Sequence, residues 1–230
     1  MTENVKIILP YILVIILSYM LGSFSPSYII SRFKKINLKK IGTKNLGMSN
    51  VTVVFGWRLG ILVGFLDIFK GFLAVFLTKI FAPQLPSIYY VAAAFVILGH
   101  IFPFYLKFDG GKGFATYIGA ILGLDWKFAI LLAIIIVAVS LITDYIVMGT
   151  FTTISSFPLY VFFSTGEICS SALMAMVSFV ILFKHEENIR RIRLGTEANI
   201  RPMFNKEHRK MANEKLKELA TEDGVDFNVN

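Results

Sequence analysis

Apolar runs of membrane length recur along this chain, and they restrict its fold more than any other feature. They extend from about Ile7 to Ile30, then over Leu59 to Phe81, Ile88 to Leu106, Phe128 to Thr143, Ile146 to Phe163 and Ser170 to Phe183. About 20 apolar residues make one helical crossing, and a backbone in lipid must satisfy its own polar groups. Phe114 to Leu124 is too short to span alone and belongs beside the glycine-rich loop before it. Roughly seven crossings result, so the chain reads as an all-α polytopic membrane protein in which 56% of the residues are hydrophobic. The amino end has a single basic flank, Lys6, and its apolar run continues past Gly22-Ser23, so it reads as a retained first helix and not a removable signal peptide. One membrane domain over 1–198 is expected, followed by a charged tail over 199–230 with a helix from Lys206 to Ala220.

Charge orients the helices. Lys and Arg number 23 against 15 Asp and Glu, a net +8, and their distribution is uneven. The segment 32–58 carries Arg32, Lys34, Lys35, Lys39, Lys40, Lys44 and Arg58 with no acid, and ten more basic residues lie between Lys184 and Lys217. Basic residues in short loops stay on the cytoplasmic side. The amino end is therefore expected outside a bacterial inner membrane, with the carboxyl end inside. Seven crossings satisfy that arrangement and bring the 110–113 loop and the 144–149 turn to the cytoplasmic face. In such a chain the positive charge points to anionic lipid or an anionic substrate, not to nucleic acid. The single cysteine, Cys169, allows neither an intrachain disulfide nor a cysteine metal site.

The chemistry concentrates in a few stretches. Gly110-Gly111-Lys112-Gly113 follows Asp109 and precedes an apolar run. Glycines let backbone N–H groups converge on an oxyanion, and a following helix start adds its positive end. The other reading is a flexible turn with a snorkelling lysine. The stretch is not a Walker A loop, because Leu106 stands where the first glycine is needed and Gly113 follows the lysine. His100 lacks the carboxylate of a His-x4-Asp pair, since Tyr105 stands there, and it reads as a structural residue near the pocket. Gly42 to Asn50 is either a second anion-binding turn or a solvated loop on lipid headgroups. Asp67 and Lys70, three apart within a crossing, read as a structural ion pair. His185 and Asn188 share a helical face where the last run ends, and without an acid at 188 they do not make a zinc pair.

Taken together these stretches resemble the bacterial acyl-phosphate:glycerol-3-phosphate acyltransferase family (the PlsY family). The similarity covers about residues 11–198: Gly22-Ser23, Gly42 to Asn50, Asp67 to Gly71, Gly99 to Thr116 (GHIFPFYLKFDGGKGFAT) and His185 to Glu197. The resemblance implies transfer of a fatty acyl group from acyl phosphate to the 1-hydroxyl of glycerol 3-phosphate, giving lysophosphatidate in phospholipid synthesis, with no cofactor or metal. It assigns Lys112 and His185 to catalysis. The phosphate seat falls on Gly110, Gly111, Gly113 and Lys112, and acceptor binding on His185 and Asn188, with Ser23, Lys39, Asn45, Thr116 and Glu197 as further substrate-binding positions. The chain departs from the family pattern at Lys39, where arginine is usual, at Asp144, which reverses an arginine's charge, and at Val147, which removes a hydroxyl. A different phosphorylated or polyol acceptor is the alternative these departures favour. A small-anion transporter is the other, which the lack of an internal repeat disfavours.

Overall fold

The computed structural model describes the backbone over residues 3–195 and at residue 197, with side chains from residue 8 onward; the tail helix expected over 206–220 lies outside the described residues. Among these residues the secondary structure is helical throughout. The order is α1 (Glu3–Ser23), α2 (Pro26–Phe33), α3 (Met48–Phe55), α4 (Trp57–Phe81), α5 (Ser87–Ile101), a 3-10 turn (Phe104–Leu106), α6 (Phe114–Leu124), α7 (Trp126–Thr143), α8 (Ile146–Thr165), α9 (Ile168–Lys184) and α10 (Glu186–Arg193). Local chemistry punctuates them. Ser25 accepts the Tyr28 N–H at 3.3 Å and Pro26 opens α2, while Asp125 accepts the N–H groups of Lys127 and Phe128 to start α7.

The expected seven crossings resolve into unequal parts. Among the described residues five helical runs are long and apolar enough to cross a bilayer, Ile8–Phe33, α4, Ser87–Leu106, α7 and α8, and α9 with α10 makes a sixth bent by 50°. The seventh segment, α6, has 11 residues and rises only about 16 Å. Its far end is level with that of α4, because Lys79 Nζ donates to the Leu124 carbonyl at 2.8 Å. The loop before α6 is bonded to the end of α5 at His100 and Ile101, and the His100 ring meets Lys70, midway along the 25 residues of α4.

Two helix pairs touch backbone to backbone. A side chain on Gly22 would overlap the Val96 carbonyl, and one on Gly99 the Tyr19 carbonyl, so α1 and α5 meet along glycines. Gly71 and Gly119 hold α4 against α6 in the same way, facing the carbonyls of Thr116 and Ile68. Lipid tails are as apolar as leucine, so close van der Waals approach rather than hydrophobicity holds membrane helices together. The bundle core gathers Ile97, Ile101, Tyr117, Phe157, Met174 and Ile181, all fully or nearly fully buried. A smaller apolar cluster, with Leu38, Ile41, Leu46, Val51, Val54 and Val63, lies under the basic 34–47 segment and fixes it to α3 and α4.

Candidate active site

Three segments far apart in sequence meet in a cleft of about 230 Å³, lined by Lys39, Thr43, Lys44, Asn45, Asp109, Gly110, Gly111, Lys112, Lys184 and Glu187. Each is held in place by identifiable bonds.

The first wall is the 37–50 segment, organised by Asn50. This side chain is fully buried. Its Nδ2 donates to the carbonyls of Leu38 (2.7 Å), Ile41 (3.1 Å) and Asn45 (2.9 Å), and its Oδ1 accepts the Thr43 N–H at 2.7 Å. Asn45 in turn donates to the Thr43 hydroxyl at 3.0 Å. One amide, its two N–H hydrogens shared among three carbonyls, thus gathers four backbone groups of a loop that lacks secondary structure.

The floor is the glycine loop. Tyr19 donates to the Phe102 carbonyl and Tyr105 to the Ser23 carbonyl, both at 2.7 Å, tying the turn after α5 to α1. The Gly110 N–H donates to the Ile101 carbonyl (2.9 Å) and the Gly111 N–H to the His100 carbonyl (3.2 Å). Gly113 sits at φ 91°, where a side chain would be strained, and there the loop turns into α6. No side chain caps α6, so its first-turn N–H groups remain open, and those of Lys112 and Gly113 have no partner among the described residues. Open N–H groups, a helix start and a lysine beside a cleft make a seat for an oxyanion.

The third wall comes from the end of α9 and from α10. Lys112 Nζ donates to Asn188 Oδ1; Asn188 Nδ2 donates to Glu197 Oε1 at 2.6 Å; Arg191 Nε donates to Glu197 Oε2 at 2.7 Å. This relay aims the lysine. Burial, and then the nearby Arg191, lower the Lys112 pKa to about 8, while Glu197 and Glu187 pull it back upward. His185 is buried where α9 gives way to α10, with Nδ1 donating to the Ile181 carbonyl at 2.8 Å, which leaves Nε2 as its other functional atom. The Phe151 ring stands edge-on to it at 6.2 Å, so the start of α8 shares this end of the bundle.

Of the residues expected from sequence, the cleft brings together Lys39, Asn45, Gly110, Gly111 and Lys112, and the relay adds Asn188 and Glu197. Gly113, His185, Ser23 and Thr116 do not line it. Ser23 donates to the Tyr19 carbonyl at 2.8 Å beneath the turn after α5, and Thr116 is fully buried with its carbonyl against Gly71. Lys39 is already engaged, its Nζ 2.8 Å from Asp109, whose other oxygen lies 3.5 Å from Lys184. Burial opposes ionisation of Asp109, but the two lysines outweigh it and hold the carboxyl below its usual range.

Sequence reasoning passed over Asp109, Lys184, Arg191 and the single role of Asn50. A lone acid among lysines was a visible signal for Asp109; nothing in the spacing linked Glu197 to Arg191 and Asn188. The Asp67–Lys70 pair forms as expected, at 2.8 Å, but it also includes His100.

A family model described as glycerol-3-phosphate acyltransferase matches residues 12–195. Glycerol-3-phosphate acyltransferase 1 of Oceanobacillus iheyensis is 34% identical over 203 residues, covering 85% of this chain and 98% of the relative. That of Wolbachia pipientis wMel is 36% identical over 184 residues, covering 80% and 95%. The crystal structure of PlsY (YgiH), an integral membrane glycerol 3-phosphate acyltransferase, in its glycerol 3-phosphate form has a TM-score of 0.78 at 26% identity, covering 84% of this chain and 96% of that one. Its lysophosphatidic acid form has a TM-score of 0.73. The chain belongs to the glycerol-3-phosphate acyltransferase family.

Proposed function

We propose that this protein acylates the 1-hydroxyl of glycerol 3-phosphate with an acyl group drawn from acyl phosphate. The family and the glycerol 3-phosphate and lysophosphatidic acid forms of its solved relative support the acceptor and the product. The observation that carries the donor is the glycine loop with its open N–H groups, facing a lysine aimed by Asn188 and Glu197. Such a seat fits the phosphoryl end of a donor that is already activated. The acceptor oxygen bonds to the acyl carbon, the bond from that carbon to the phosphate oxygen breaks, and inorganic phosphate leaves. The departing phosphate takes the hydroxyl proton. The protein's task is then to position two anions and stabilise charge, with no covalent intermediate.

In this reading the Lys112 ammonium and the N–H groups of Lys112 and Gly113 hold the donor phosphate, on a loop that Gly110 and Gly111 anchor to the end of α5. His185 and Asn188 orient the acceptor, supported by Lys39, Asn45 and Glu197, while Ser23 and Thr116 act from beneath the loop. The basic segments put the cleft on the cytoplasmic side of the inner membrane and the amino end outside. Purified protein in lipid, given acyl phosphate and glycerol 3-phosphate, should yield lysophosphatidate and phosphate. Lys112→Ala and His185→Ala should lose most of that activity. Folded wild-type protein that forms no product would sink the proposal. Because Lys39 is committed to Asp109, a second reading keeps the donor and changes the acceptor; an acceptor screen with acyl phosphate separates the two.

A further inference from the structure

Behind the cleft lie three charged or ionisable side chains that the reaction does not touch. Asp67 and Lys70 on α4 are each 2% exposed, and His100 on α5 is 7% exposed. Lys70 Nζ donates to the Phe24 carbonyl at 2.7 Å, lies 2.8 Å from His100 Nδ1 and pairs with Asp67 Oδ1 at 2.8 Å, so these three groups enclose it. His100 Nδ1 also lies 3.3 Å from the same carboxylate oxygen; with Lys70 charged, Nδ1 accepts from the ammonium and the ring carries its proton on Nε2. That edge of the ring occupies the space a Gly111 side chain would need, with the Leu46 carbonyl 2.8 Å from the same point. The main chain of the same helix end accepts the first two N–H groups of the glycine loop, at His100 and Ile101.

A buried ion pair is weak support for stability, since an apolar pair of similar volume often serves as well or better. Ionisable groups inside a membrane body are accordingly read as functional. Here the ring they orient is packed on the loop that receives the phosphoryl group, and the N–H groups beyond the anchored pair are the open ones. We propose that Asp67, Lys70 and His100 are positioning residues: Lys70, held by Asp67 and the Phe24 carbonyl, locks the His100 ring, and the ring fixes where Gly111 and therefore Lys112 stand. This rests on the reading of the cleft as a phosphate seat.

The test uses the full chain in lipid nanodiscs, with thermal unfolding, inorganic phosphate affinity, and kcat and KM for acyl transfer measured on each variant. The double variant Asp67→Leu/Lys70→Met replaces the pair with apolar side chains. It should unfold at or above the wild-type temperature, yet bind phosphate at least about tenfold more weakly and lose about 100-fold in kcat/KM, the scale of an ångström of misplacement. His100→Phe, which leaves the ion pair in place and keeps a ring but gives Lys70 nothing to hold it by, should stay folded and lose at least about tenfold in phosphate affinity and in kcat/KM. A double variant that stays folded with wild-type phosphate affinity and kinetics overturns the proposal. So does a Phe variant with wild-type phosphate affinity and kinetics. Wild-type protein that binds no phosphate refutes the cleft reading and this inference with it, whereas phosphate binding that every variant keeps refutes the positioning role alone.

Discussion

Affinity for the donor's phosphate should fall as pH rises through about 8, because Lys112 titrates there in the empty cleft. The lowering from 10.5 to about 8 corresponds to about 3 kcal/mol of lost preference for the ammonium. The loss comes first from burial and then from Arg191. A bound dianion restores that preference, so the charged and neutral forms of the lysine should differ in affinity by up to about 300-fold. The sign follows directly: below about 8 the lysine is charged and the full attraction is present; above it, each pH unit costs about tenfold until the bound-state pKa is reached. The probe is an alkyl phosphate, a non-transferable mimic of the donor whose second ionisation, near about 6, is complete throughout the range. Binding at pH 9.5 should be about 30-fold weaker than at pH 7, and Lys112→Met should give a flat, weak profile. A wild-type profile without an inflection between pH 7.5 and 9.5, or one that persists in Lys112→Met, refutes the reasoning.

Other consequences can be measured alongside it. Glu197→Gln removes a charge that raises the Lys112 pKa, so the inflection should move below 8, with kcat/KM reduced about tenfold as the relay to Asn188 loosens. Gly111→Ala puts a methyl group into the His100 ring and 2.8 Å from the Leu46 carbonyl; the loop must shift, and activity should fall by about 100-fold, seen in initial rates of lysophosphatidate formation. Asn50→Ala leaves the Leu38 and Asn45 carbonyls and the Thr43 N–H without their partner, while the Ile41 carbonyl keeps the Lys44 N–H, and thermal unfolding should register a loss of about 2–4 kcal/mol.

What could be read from sequence was whatever depends on neighbours in the chain. The lengths of the apolar runs anticipated the spans, including the deficit at Phe114–Leu124, which reflects a loop that enters the bundle beside it. The i, i+3 spacing of Asp67 and Lys70 was enough to pair them. His100 shows where that reasoning stops. The ring is held by Lys70 from another helix, beside Asp67, and no local pattern carries that contact. Lys112 with Asn188, and Lys39 with Asp109, are joined across loops whose meeting depends on helix packing. The Asn50 hub was hidden for the opposite reason: an asparagine among loop residues looks solvated until its carbonyl partners close around it.

The backbone contacts between helices also bear on how the protein can recover from damage. A side chain introduced at Gly22, Gly71, Gly99 or Gly119 strikes a carbonyl of the facing helix, and no change of residue on that helix removes a carbonyl. Losses there have no local suppressor. Gly64 differs, because its obstacle is the side chain of Met48. A smaller residue at 48 can open that space. Second-site revertants should therefore cluster between α3 and α4 and be missing from the α1–α5 and α4–α6 contacts, so that genetic selection alone would separate backbone contacts from side-chain contacts.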